Sequence, residues 1–315
     1  MDWTPGGMSS DVEDRRGSSG GGGGFGFGGG GGLGIVGFVV LLVISLVTGR
    51  NFIGSYLSGG GGAQQTAPRA DQTGSGAAGS QQAGSQQAGS QQAGGRGYSA
   101  EGGDREGQLV SFVLDDVQKT WTGIFEGEGR TYRHAKLVLY RDATYSGCGT
   151  ARATTGPFYC PADEKVYVDL GFWDELRQIG GDTGEFAQAY VIAHELGHHV
   201  QDLLGTEAKV RRLQQGDPGE RNSLSVALEL QADCYAGVWA HSTEQRNMVH
   251  ESDVEGALKA AAAVGDDHLQ KMSGRAVSPE SFTHGTSAQR QSWFRRGMQS
   301  GDPGACDTFG GSGTQ

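Results

Sequence analysis

His194-Glu195-Leu196-Gly197-His198 reads as H-E-x-x-H within a stretch of helical spacing. Residues four apart on a helix lie one above the other, so His194 and His198 can present imidazole nitrogens to one Zn²⁺ while Glu195 stands beside them as a base. Apolar residues recur at Phe186, Tyr190, Ala193, Leu196, Val200 and Leu203 or Leu204, which predicts an amphipathic helix over 185–204 packed on a core. Asp182 followed by Glu185 predicts a capping arrangement at its start, and Gly205 a C′ residue at its end. Gly197 costs about 1 kcal/mol of helix propensity relative to Ala, so another backbone is expected to pass close to it.

A catalytic zinc takes three protein ligands and leaves a fourth position for water. In the longer H-E-x-x-H-x-x-G-x-x-H arrangement the third His would fall on Leu204 and the Gly on Gln201, so that arrangement is excluded. Glu229-Leu230-Gln231-Ala232-Asp233 is the better source. It lies among Leu224, Val226, Leu228, Tyr235, Val238 and Trp239, which predicts a buried helix. Two carboxylates one turn apart in such a helix must meet a metal, cations or hydrogen-bond donors. The reading adopted is Glu229 as third ligand, with Asp233 accepting the N–H of a ligating His and so fixing its tautomer. An ion pair with Arg211 or Arg212 is the alternative, and Asp233, His241 and His284 are the fallback ligands. For the donor to a developing oxyanion, Tyr167, His199 and His284 are candidates; His284 is preferred because it lies in a Gly-flanked loop. His199 lies some 100° around the helix from His198 and is expected to meet a carboxylate or solvent rather than the metal.

The rest of the chain divides by composition. Its 315 residues include 58 Gly and only 36% hydrophobic residues, too lopsided for one globular body of that size. Residues 1–32 combine Asp11, Glu13, Asp14, Arg15 and Arg16 with a glycine run broken by Phe25 and Phe27, and are expected to be disordered. The stretch 33–47 carries no charge and is almost wholly aliphatic, so 33–50 is expected to be a transmembrane anchor. A cleaved signal peptide lacks its small-residue site after Arg50-Asn51-Phe52, and a buried core helix would have only glycine-rich flanks to cover it. Arg15 and Arg16 before the stretch balance Arg50 and Arg69 after it, so charge does not orient it. Residues 51–103, with three Gly-Ser-Gln-Gln-Ala repeats, read as a flexible linker able to hold a domain off a membrane, and 311–315 as a tail. The net charge of −11 and isoelectric point near 5.2, with no dense basic patch, speak against a nucleic-acid binder.

Residues 104–310 have globular composition and suit one domain. Helical spacing is found at 109–121, 222–240, 253–264 and 287–300, and strand patterns at 136–140 and 166–170. The order predicts an α+β domain with a small sheet ahead of a helical half. The four cysteines form no C-x-x-C pair; Cys148 and Cys160 bracket a loop between the two strands, which leaves Cys234 to pair with Cys306. Two such bridges indicate an oxidising compartment and, with the anchor, a single-pass membrane protein whose domain is extracytoplasmic.

The pair of motifs around His194 and Glu229, with Phe282-Thr283-His284-Gly285-Thr286-Ser287 and the apolar N-terminal run, resembles the bacterial putative neutral zinc metallopeptidase family over roughly residues 104–310. The resemblance implies a zincin fold of the gluzincin type, in which Glu229 binds zinc and Asp233 orients the first His. It also implies an edge strand above the site, assigned to 166–170, that holds an extended peptide or protein substrate by its main chain. The resulting expectation is a membrane-anchored peptidase carrying one Zn²⁺, with Glu195 as general base. The rival is a non-catalytic cell-envelope scaffold keeping zinc for structure, in which Glu195 would have no use.

Overall fold

The computed structural model describes residues 1–17 and 104–310. The anchor expected at 33–50, the linker at 51–103 and the tail at 311–315 lie outside the described residues. No described helix is long and apolar enough to cross a membrane.

The α+β expectation matches the architecture. A four-stranded sheet runs in the order β1 (Val12–Asp14), β2 (Lys136–Tyr140), β6 (Lys165–Asp169), β5 (Phe158–Cys160); β1, β2 and β6 are parallel and β5 is antiparallel. A separate hairpin joins β3 (Ala143–Ser146) to β4 (Gly149–Arg152). Alternation along the central strands covers both faces. Leu137, Leu139, Val166 and Val168 enter the main core, whereas Val138, Tyr140, Phe158 and Tyr167 build a second cluster with Ala151 of the hairpin.

The helices lie on the main-core face. They are α1 (Arg105–Gly127), α2 (Phe172–Gln178), α3 (Glu185–Leu204), α4 (Thr206–Gly216), α5 (Arg221–Gln245), α6 (Glu251–Ala263), α7 (Asp266–Met272) and α8 (Ser287–Ser300). Asp104 caps α1 by accepting the Gly107 N–H, and α1 buries Leu109, Val113, Val117, Trp121 and Phe125. α3 ends at Gly205, left-handed at φ 77°, as its position after the last apolar pair predicted. Its start differs from expectation. The N-cap is Gly184, and Asp182 instead accepts the Gly184 N–H in a tight turn.

Two expectations need correction. Residues 1–17 are not a disordered leader: they lie along the domain and supply β1, because Val12 and Trp3 reach the main core and the charges between them find partners on the domain. The strand at 166–170 is not an edge. It is β6, paired with β2 over Lys165–Asp169 and with β5 over Lys165–Tyr167, so beside those three residues the outer edge is β5.

Both expected disulfides form, Cys148–Cys160 and Cys234–Cys306. The second ties α5 to the turn after α8. These two helices cross with almost no gap: a Cβ on Gly297 would collide with the Cys234 carbonyl oxygen, and one on Gly237 with that of Phe294. That crossing sets the position of α8 side chains over α5, including Arg290, which meets Asp233.

Candidate metal centre

Two helices meet at the site. α3 carries His194, Glu195 and His198, and α5 carries Glu229 and Asp233. Their approach is allowed by Gly197, where an added Cβ would press on the Ala232 backbone at 3.0 to 3.1 Å. His194 Nε2 lies 3.3 Å from one Glu229 oxygen and His198 Nε2 lies 3.6 Å from the other. Donors bound tetrahedrally at about 2.0–2.1 Å would sit roughly 3.3–3.4 Å apart. The donor set therefore has the chemistry and the spacing for zinc, and among the described residues it is the group of three or more such donors gathered closely enough to hold a metal.

The surrounding hydrogen bonds hold each ring by its Nδ1 and turn the Nε2 atoms toward Glu229. His194 Nδ1 donates to Asp233 Oδ1 at 2.9 Å, and His198 Nδ1 donates to Gln201 Oε1 at 2.8 Å. Gln201 is held in turn, donating to the Leu228 carbonyl at 2.8 Å and to Gln231 Oε1 at 3.1 Å. Asp233 receives the Tyr190 hydroxyl at 2.6 Å and the Arg290 guanidinium on both oxygens. Each ring is thus fixed by an acceptor on its far side, the usual means of orienting a ligating imidazole.

Electrostatics favour a cation here. Burial opposes ionisation of Glu229, yet its hydrogen bond with His194 and the nearby His198 and His284 hold it well below the usual carboxylate range. Burial likewise works against Asp233, but Arg290 and His194 bring it to about 2. For His194, burial pulls downward and the Asp233 and Glu229 carboxylates outweigh it, raising the ring to about 10. Glu195 differs: burial raises it, and its Oε2 is buried with no hydrogen-bond partner. That places an unpartnered carboxylate oxygen beside three metal-type donors, an arrangement whose chemistry includes that of a base.

His284 completes the surroundings. Asp266 Oδ2 accepts the backbone N–H groups of Thr283, His284 and Gly285 at 2.7, 2.6 and 3.0 Å, and its Oδ1 lies 3.2 Å from His284 Nδ1. Gly285 turns at φ 85°, a conformation that glycine adopts without strain. The His284 ring is buried and close enough to Glu229 for their charges to interact.

The sequence of this whole assembly matches the model of one family, described as "Putative neutral zinc metallopeptidase", over residues 1–309. The chain belongs to that family. Among its relatives, the uncharacterized protein YpfJ of Escherichia coli K12 is 48% identical over 315 residues, covering 99% of this chain and 100% of YpfJ. The uncharacterized protein Rv2575 of Mycobacterium tuberculosis H37Rv is 44% identical over 206 residues, 62% of this chain and 68% of that protein. No solved structure matches. In a chain of this family, the cluster of His194, His198 and Glu229 fits a zinc site.

The remaining sequence candidates fall elsewhere. His199 uses both ring nitrogens, with the Tyr159 hydroxyl at 3.0 Å and the Arg133 carbonyl at 2.6 Å, and burial lowers its pKa. His241 is bound to the Met298 carbonyl at 2.7 Å and to Gln245 at 2.9 Å. Tyr167 points into the second cluster and donates to Asp163, on the sheet face away from α3. Arg211 pairs with Glu207 on α4. The cation that meets Asp233 is Arg290, which the sequence reading missed. Its signal was faint, an Arg on a helix otherwise burying Trp293 and Phe294.

Proposed function

We propose that this protein is a zinc-dependent peptidase, with His194, His198 and Glu229 holding one Zn²⁺ and Glu195 as general base. The observation that carries this reading is the unpartnered Glu195 Oε2 beside the three donors. Zinc bound there supplies Lewis acidity to water and to the substrate carbonyl. Glu195, held by burial above the ordinary carboxylate range, takes the proton of the attacking water and passes it to the leaving amine. Asp233 and Gln201 keep the two imidazoles in the tautomers that leave Nε2 free. His284, fastened by Asp266, donates to the oxyanion as it forms.

The substrate is a peptide or protein bound in extended form. Since β6 is interior, the free edge of β5 is the strand that would pair with it, at residues 158–160 next to α3. The two disulfides support a site of action outside the cytoplasm, with the lipid bilayer as a partner through 33–50. A scaffold that keeps zinc for structure would leave the Glu195 carboxylate without a role.

Metal content by mass spectrometry, read beside cleavage of a generic peptide by the full chain, tests the proposal. Glu195→Gln should keep zinc near one equivalent while hydrolysis falls by at least about 10²–10⁴-fold. Glu229→Ala should lose the metal and the activity together. Retention of both in Glu229→Ala would refute the ligand assignment.

A further inference from the structure

Residues 11–16, which read in the sequence as a charged coil, are fastened to the domain almost residue by residue. The parallel ladder with β2 extends beyond β1 at both ends, Leu137 N to the Asp11 carbonyl at 2.8 Å and Arg15 N to the Leu139 carbonyl at 2.7 Å. Asp11 pairs with Lys136 at 2.6 Å and Glu13 with Lys165 at 2.5 Å. Arg15 donates to Thr144 Oγ1 at 3.1 Å and to the Tyr145 carbonyl at 3.0 Å, which joins the strand to the hairpin. Farther back, the Trp3 indole donates to Glu185 at 2.9 Å, at the first turn of the helix that carries His194, and its ring lies between Phe112 and the Arg105 guanidinium. The segment thus reaches from the sheet edge to the start of the metal-binding helix.

The place where the chain departs is also the place where it returns. Arg16 forms an ion pair with Asp104, the residue that caps α1, so the two ends of the stretch 18–103 meet on one surface. The family match likewise begins at residue 1 rather than at 104.

From these contacts we infer that residues 1–17 are an integral strand of the catalytic domain and lie on the same side of any membrane as that domain. A single crossing by the apolar residues 33–47 would place the two on opposite faces, and every contact above would be lost. A backbone ladder, the ion pairs of Asp11, Glu13 and Arg16, and the buried face of Trp3 cannot form across a bilayer. The single-pass topology expected from the apolar run is therefore replaced by one in which the chain before 33 and the chain after 50 share a compartment. This holds whether or not the metal cluster is catalytic, since none of its residues enters the argument.

The test uses the full chain in sealed cells or spheroplasts. Single Ser10→Cys and Tyr145→Cys variants, both at exposed positions with the four native cysteines bridged, are treated with a membrane-impermeant maleimide before and after lysis. Both sites should fall in the same class, either labelled in sealed cells or protected until lysis. A separate Ser9→Cys/Asp115→Cys pair, whose native side chains approach to 2.5 Å, should crosslink within one chain when treated with a short bifunctional thiol reagent that spans the gap left by the shorter Cys side chain at 115. Opposite labelling of the two single variants would overturn the inference. So would a double variant that stays uncrosslinked or crosslinks only between chains.

Discussion

The Arg290 guanidinium meets the Asp233 carboxylate edge to edge, Nε to Oδ2 at 2.8 Å and Nη2 to Oδ1 at 2.9 Å, with both side chains buried. The same Oδ1 receives His194 Nδ1 and the Tyr190 hydroxyl. One carboxylate therefore links a charge on α8 to the orientation of an imidazole on α3.

Removing Arg290 should expose that linkage. Arg290→Met leaves Asp233 buried without its cation, a change expected to cost about 3–5 kcal/mol of stability. Zinc affinity should fall by roughly 10–100-fold as His194 loses its fixed acceptor. Arg290→Lys keeps the charge but not the paired geometry and should lie between the two. Chemical denaturation and chelator-competed zinc titration measure both quantities. Arg211→Ala, at an exposed α4 ion pair, serves as the neutral control.

Zinc binding should be coupled to a proton. Without a cation in the site, burial is outweighed by Asp233 and Glu229, and His194 is raised to about 10. Near neutral pH its imidazole then holds a proton that zinc must displace, because only the neutral ring is a ligand. A raised histidine pKa means that competition is strongest at low pH and is relieved as pH climbs toward that value. Apparent zinc affinity should therefore rise by about tenfold per pH unit from neutrality upward, flattening near pH 10. Titrations at several pH values, with calorimetry in buffers of different ionisation enthalpy, would detect the released proton. An affinity independent of pH would contradict the coupling.

His284 should matter to turnover more than to binding. Burial lowers its pKa, but its bond to Asp266 and the nearby Glu229 charge outweigh this and raise it, which favours a ring able to donate toward developing negative charge. His284→Ala should reduce kcat by about 10²–10³-fold with little change in KM and with zinc retained. Asp266→Asn, which loosens the ring without removing it, should give a smaller loss. Steady-state kinetics with a metal assay on each variant provides the check, and an unchanged kcat in His284→Ala would remove the residue from the mechanism.

What could be read in advance was local or chemically forced. The H-E-x-x-H helix follows from period and spacing, and Glu229 with Asp233 from the cost of leaving two carboxylates unpartnered in an apolar helix. The pairing of Cys148 with Cys160 follows from their closeness in the chain. Arg290 could not be read this way, since it reaches Asp233 only through the crossing of α5 and α8 at Gly237 and Gly297, a contact between distant segments. Strand order was hidden for the same reason: nothing within 166–170 reveals that β5 would take the edge beside it. β1 was concealed by its charges, whose partners Lys136, Lys165 and Asp104 all lie beyond residue 103.

The two disulfides should part company when each is removed. Cys148–Cys160 closes a separation of 12 residues and joins the hairpin turn to β5 within the second apolar cluster, and its loss should cost about 3 kcal/mol by loop entropy. Cys234–Cys306 closes a separation of 72, for which the same relation gives about 4 kcal/mol. The difference that matters lies in what Cys306 touches. Its carbonyl accepts the Gln231 Nε2 hydrogen at 3.0 Å, Gln231 Oε1 accepts from Gln201, and Gln201 accepts from His198 Nδ1. Freeing Cys306 therefore loosens a chain of three hydrogen bonds that ends on His198, one of the proposed metal ligands. Cys148→Ser/Cys160→Ser should unfold at lower denaturant while binding zinc as tightly as the native protein. Cys234→Ser/Cys306→Ser should lose stability and, when still folded, bind zinc several-fold more weakly. Equal zinc affinity in the two variants would show that the Gln201–Gln231 relay does not hold His198 in place.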